Sequence, residues 1–88
     1  MQRVDKPKVL KRLKIIEGQI RGAHKMVSND AYCIDIITQT SAIKQALSRV
    51  EDELLESHLG HCLVNQIKKG QTDKAKSEIL KVYRLKRK

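Results

Sequence analysis

Residues 31–69 read AYCIDIITQTSAIKQALSRVEDELLESHLGHCLVNQIKK. The stretch holds no proline, and its one glycine is Gly60. Ile36, Ile43, Leu47, Val50 and Leu54 fall on one stripe of a helix, with Leu55, Leu59 and Leu63 beside it. The pattern predicts a single helix of nearly forty residues, roughly 55–60 Å long at 1.5 Å per residue. One shorter partner within the chain cannot cover a stripe of that length. The surplus apolar surface predicts association with a second copy.

Upstream, Val9, Leu13, Ile16, Ile20, Ala23 and Val27 alternate in steps of four and three, the heptad seam of another helix. Asp5 is placed to cap its start, and Pro7 is tolerated in a first turn. The spacing predicts a first helix over about residues 6–28. Ser28-Asn29-Asp30 is a polar break, with Asn29 or Asp30 available to cap the long helix. Downstream, Gly70 ends the long helix. Thr72 or Asp73 can cap a short third one, to which Ile79, Leu80, Val82 and Tyr83 give a partial apolar face. Lys86, Arg87 and Lys88 read as a solvated basic tail.

The 88 residues allow one domain, spanning 1–88. Tyr32 and Tyr83 are the only aromatic residues, and the apolar remainder suits helix-on-helix packing. Nineteen basic against ten acidic residues give a net charge of +9. That balance favours a polyanionic partner, nucleic acid first and an anionic membrane surface second. No apolar run approaches the ~18 residues of a membrane span, and the first residues lack the apolar centre of a signal peptide. The expected location is cytoplasmic, where Cys33 and Cys62 stay reduced.

His58 and Cys62 are four residues apart and project from one helical face. Cys33 is the only other thiol, about 37 Å away along the same axis. It cannot join them within one chain, but it can if two copies of the long helix run antiparallel. The spacing therefore predicts a site shared between subunits and present twice per dimer. Two thiolates and an imidazole suit a soft ion. Copper(I) accepts three ligands, whereas zinc asks for a fourth from water or His61. His61 precedes Cys62 by one residue, a rotation of ~100°, and is expected to face away. Taken singly, a cysteine is more often a small buried hydrophobe than a ligand.

The segments Arg12-Leu13-Lys14-Ile15-Ile16-Glu17-Gly18-Gln19-Ile20-Arg21-Gly22, Tyr32-Cys33-Ile34-Asp35-Ile36, and Leu54-Leu55-Glu56-Ser57-His58 through Cys62 closely resemble the CsoR/RcnR family of metal-sensing repressors. The resemblance runs from about Arg3 to Tyr83. It implies an all-α fold with three helices per chain. Two long helices from each of two chains form an antiparallel four-helix core, with a short third helix outside it, and two dimers assemble into a tetramer. It implies copper(I) held by Cys33 of one protomer and by His58 and Cys62 of the other. Tyr32 and Glu78 would connect that site to the rest of the assembly. It also implies an apo form that binds operator DNA and a copper form that releases it. Nickel and cobalt sensors of the family carry a histidine where this chain has Met1. Persulfide sensors lack the histidine found here at 58, and formaldehyde sensors lack the second cysteine.

There is no helix-turn-helix or zinc-finger spacing, so DNA recognition must use a basic surface of the assembly. Arg12, Lys14, Arg21, Lys44 and Arg49 are the candidates, and Arg12 and Arg49 match basic positions implicated in the family. No phosphate loop or acid–base pair points to an enzyme. Two other readings fit the same residues. One is a persulfide or oxidant sensor working through Cys33 and Cys62; the other is a copper buffer that binds no DNA.

Overall fold

The computed structural model describes residues 5–87. Asp5 caps α1 (Lys6–Ser28), its Oδ1 accepting the Lys8 amide at 3.1 Å, and Pro7 lies in the first turn. The helix ends where predicted, but through residues put to a different use. Asp30 takes φ +55°. Its amide then donates to the Val27 carbonyl at 3.1 Å, and the Ala31 amide to the Met26 carbonyl at 2.9 Å. This paired closure satisfies the last carbonyls of α1. Asp30 therefore terminates the first helix and does not cap the second. α2 (Cys33–Ser57) starts from Tyr32 with no side-chain cap.

The long helix is present as a continuous rod with an irregular segment. α2 passes into a π-helical turn at His58–Leu63 and then into α3 (Val64–Lys68). Gly70, at φ +77°, ends the rod. The Gly70 amide bonds the Ile67 carbonyl at 3.1 Å and the Gln71 amide bonds the Gln66 carbonyl at 2.7 Å, the same closure as at Asp30. α4 (Thr72–Lys86) follows at once. Its cap position is Gln71, without a side-chain bond, so neither Thr72 nor Asp73 serves as the cap. Thr72 is already the first helical residue. Asp73 sits in the first turn, where its charge suits the helix dipole.

α1 and α2 form an antiparallel hairpin, with Gln39 Nε2 donating to the Gln19 carbonyl at 3.4 Å and Arg12 meeting Glu53 at 3.0 Å. Val9, Ile16 and Ala23 are buried against Ile43 and Val50, with Leu13, Ala46 and Leu54 packed alongside. Buried residues therefore recur once per heptad. Of the other seam positions, Leu13 packs on this core, while Ile20 and Val27 stay open, 51 % and 59 % exposed. One seam is thus divided between a partner inside the chain and a face that meets solvent in the isolated subunit.

The molecule measures 55 × 28 × 13 Å, with a radius of gyration of 17.1 Å, against about 12 Å for a compact chain of this length. Its accessible surface is 7131 Å², where a compact monomer of its mass exposes about 5300 Å². This slab is one helix thick and leaves Leu10, Ile15, Ile34, Ile37, Val64 and Ile67 exposed. α4 folds back over part of the rod that α1 does not reach, so some of the stripe assigned to a second copy is covered from within. No helix among the described residues is long and apolar enough to cross a membrane.

Candidate metal centre

His58 and Cys62 both lie in the π-helical turn. The His58 amide is shared between the Leu54 and Leu55 carbonyls, and the wider π-helical turn follows from this residue on. Such insertions concentrate at functional sites. Gly60 stands at the centre of the turn, with open space around its α-carbon. In the sequence it was the one signal of irregularity in the rod.

The two candidate ligands are half-buried and line one cavity of about 520 Å³. Leu54 and Leu55 of α2 form one wall, and Val82 and Leu85 of α4 the other. Glu78 lines the same cavity and accepts a hydrogen bond from Gln66 Nε2 at 2.7 Å. The site thus gathers three of the five residues singled out for metal chemistry. His61 is exposed and does not line the cavity, as its position one residue before Cys62 implies.

Cys33 and Tyr32 are elsewhere. Cys33 is the exposed first residue of α2. Tyr32 is 68 % exposed, and its carbonyl receives the Asp35 and Ile36 amides at 3.0 and 3.2 Å. Among the described residues no three metal-binding side chains cluster within the chain. A single subunit therefore offers an imidazole and a thiol at one end of α2 and a second thiol at the other.

The basic candidates divide. Arg12 and Arg49 line one shallow hollow of about 220 Å³ between α1 and α2, with Ile16, Gln19 and Ala46. Arg12 is engaged by Glu53 at 3.0 Å, and Lys8 approaches the same carboxylate at 3.7 Å. Lys14 pairs with Glu17 at 3.7 Å. Arg21, Lys44 and Arg49 are exposed. Sequence reading missed Glu53, whose local pattern is that of any acidic surface residue.

It also missed the partners of Lys86, which is exposed as expected but is tied to α2. Its Nζ reaches Glu51 Oε1 and Asp52 Oδ1, each at 3.1 Å, and Ser48 Oγ at 3.0 Å. These bonds, from Asp52 first and then Glu51, hold its pKa above the ordinary lysine range. Arg87 is exposed and lies over the Tyr83 ring at 5.6 Å. Lys88 and Met1 lie outside the described residues.

A basic helical subunit that sets an imidazole and a thiol on one cavity wall is of the class of helical metal-responsive regulators. Residues 5–85 match the sequence profile of the metal-sensitive transcriptional repressor family, and the chain belongs to that family. It is 46 % identical over 80 residues to the copper-sensing transcriptional repressor CsoR of Bacillus subtilis, spanning 91 % of this chain and 79 % of that protein. It is 47 % identical over 60 residues to the copper-sensing transcriptional repressor RicR of Mycobacterium tuberculosis, spanning 68 % of this chain and 62 % of the relative. The fold is that of the copper-sensing repressor CsoR with Cu(I) from Geobacillus thermodenitrificans. The TM-score is 0.89 at 41 % identity, covering all of this chain and 92 % of that one.

Proposed function

We propose that this chain is a cytoplasmic, copper(I)-responsive transcriptional repressor whose sensing site is shared between two copies. The observation that carries the reading is the division of the donor set. His58 and Cys62 face one cavity, while the remaining thiol, Cys33, stands exposed at the opposite end of α2. Two antiparallel copies related by a two-fold axis bring each Cys33 to the partner's His58 and Cys62, completing two equivalent sites. Two thiolates and one imidazole fit a soft ion that accepts three ligands, and the relatives' names specify copper.

Within the site, the nitrogen of His58 that does not face the ion needs a hydrogen-bond partner to fix its tautomer and ring angle. Glu78, which lines the same cavity from α4, is the residue for that role. Tyr32, beside Cys33, approaches it from the partner. The apo assembly, a dimer of dimers, presents Arg12, Lys14, Arg21, Lys44 and Arg49 to operator phosphates. Joining the two ends of α2 across the dimer favours an arrangement with weaker DNA affinity. By linkage, operator DNA weakens copper binding by the same factor.

The test is an anaerobic copper(I) titration of the reduced protein, with DNA from upstream of its own gene followed by fluorescence anisotropy. Release at one copper per protomer, lost in Cys33→Ala and His58→Ala, supports the reading. DNA binding indifferent to copper but abolished by a persulfide-induced link between Cys33 and Cys62 replaces copper with sulfur chemistry. Copper binding with no salt-dependent DNA affinity leaves a metal buffer instead.

A further inference from the structure

α4 leaves the rod at Gly70 and runs back along it. Its N-terminal end is seated by Ala75, 2 % exposed. Towards its other end Val82 and Leu85 line the cavity opposite Leu54 and Leu55, and Leu85 is still 60 % exposed. The helix is tied to the rod at its final residue, Lys86. An ammonium has three protons to donate. Here they meet Glu51 and Asp52, each at 3.1 Å, and Ser48 Oγ at 3.0 Å, with the Ser48 carbonyl at 3.5 Å. Positions 48, 51 and 52 share one face of α2, since residues three and four apart are neighbours on a helix. They form a receptacle of matching charge. α4 is thus a strap anchored at both ends, with the cavity holding His58 and Cys62 beneath it and Glu78 on its span.

Helices of about 12–15 residues are marginal without packing, and α4 has 15 residues with Ala75 as its one buried side chain. The far anchor therefore decides how closely the strap lies. We propose that Lys86, with Ser48, Glu51 and Asp52, is a clasp that sets how closely α4 covers the cavity and so how slowly a soft metal ion leaves His58 and Cys62. Lys86 is a positioning residue and not a ligand, and the inference rests on the copper reading above. Among the described residues its charge partners come from α2, and with Leu85 it lines the cavity.

The test uses the full chain, with Lys86→Met to remove the charge while keeping the stem, Lys86→Arg to keep the charge, and Glu51→Gln/Asp52→Asn to empty the receptacle. The first measurement is amide hydrogen exchange in the apo protein. The second is the rate at which the copper(I)-loaded protein yields its metal to bathocuproine disulfonate. Lys86→Met and the receptacle variant are expected to speed exchange over residues 78–85 and copper release by about three- to tenfold, the range for losing one or two exposed ion pairs. α1 exchange stays unchanged, and Lys86→Arg recovers most of both effects. Wild-type exchange in Lys86→Met overturns the clasp. Faster exchange with unaltered release overturns its hold on the metal. A wild-type protein that takes up no copper refutes the copper reading instead, and the exchange data then decide the clasp alone.

Discussion

Refolding an equimolar mixture of Cys33→Ala and His58→Ala chains distinguishes a site shared between copies from one built within a chain. Residues 33 to 57 form regular helix, so Cys33 and His58 stand about 37 Å apart along it. Neither variant alone forms a complete site, because every position in its dimer lacks a thiolate or the imidazole. A mixed dimer differs. Cys33 of the His58→Ala chain meets His58 and Cys62 of the Cys33→Ala chain, so one of its two sites is intact. Random pairing makes about half of all dimers mixed, and with two equivalent sites per dimer the mixture regains about one quarter of the wild-type capacity. The assay is anaerobic copper(I) titration against a chelator strong enough to strip two-ligand sites, with each variant checked for helicity and mass. No recovery from a mixture shown to contain mixed dimers refutes the shared site. Full capacity in either variant alone refutes the ligand assignment.

Gly70→Ala places a side chain at φ +77° with no neighbour to clash, so its cost is the backbone strain alone, about 1–2 kcal/mol; thermal unfolding at fixed protein concentration measures it. Arg49→Ala is expected to lower the slope of log affinity against log salt on operator DNA by about one if the residue meets a phosphate, and an unchanged slope removes it from the interface. The hydrogen bonds of Lys86 raise its pKa. A raised folded value means that the clasp's contribution is complete below the unfolded value near ~10.4 and fades as pH rises through the folded one. The Lys86 Cε resonance is therefore expected to titrate above the ordinary lysine value, with no change across the neutral range; titration at or below that value contradicts the clasp.

The helices were legible because their signals are local. The 9–13–16–20–23–27 spacing placed α1, Asp5 and the 28–30 break set its approximate ends, and Gly70 marked the end of the rod. Caps were harder, since Asn, Asp and Thr serve starts and stops alike. Asp30 looks like an opening cap until its positive φ shows it closing the previous helix. The HxxxC spacing carried over to the structure because four residues return to one face, and the loosened turn at Gly60 keeps both side chains on the cavity. What could not be read was how α4 returns. A lysine 38 residues from its serine partner leaves no periodicity, and a charged C-terminal segment has the composition of a solvated tail. Glu53 beside Arg12 escaped notice for the same reason, because ion pairs between helices depend on register rather than on pattern.

The 13 Å thickness of the subunit bears on its fate in the cell. A layer this thin has no depth in which to hide Ile20, Ile37 or Val27, so an unpaired subunit displays what proteases and chaperones recognise. In the proposed dimer those faces are covered, and survival there depends on how often two copies meet. Proteolysis then removes lone chains faster than assembled ones, while dilution at cell division removes both alike. The regulator's abundance comes to follow the square of its synthesis rate at low expression, which gives its supply a threshold before any metal is sensed.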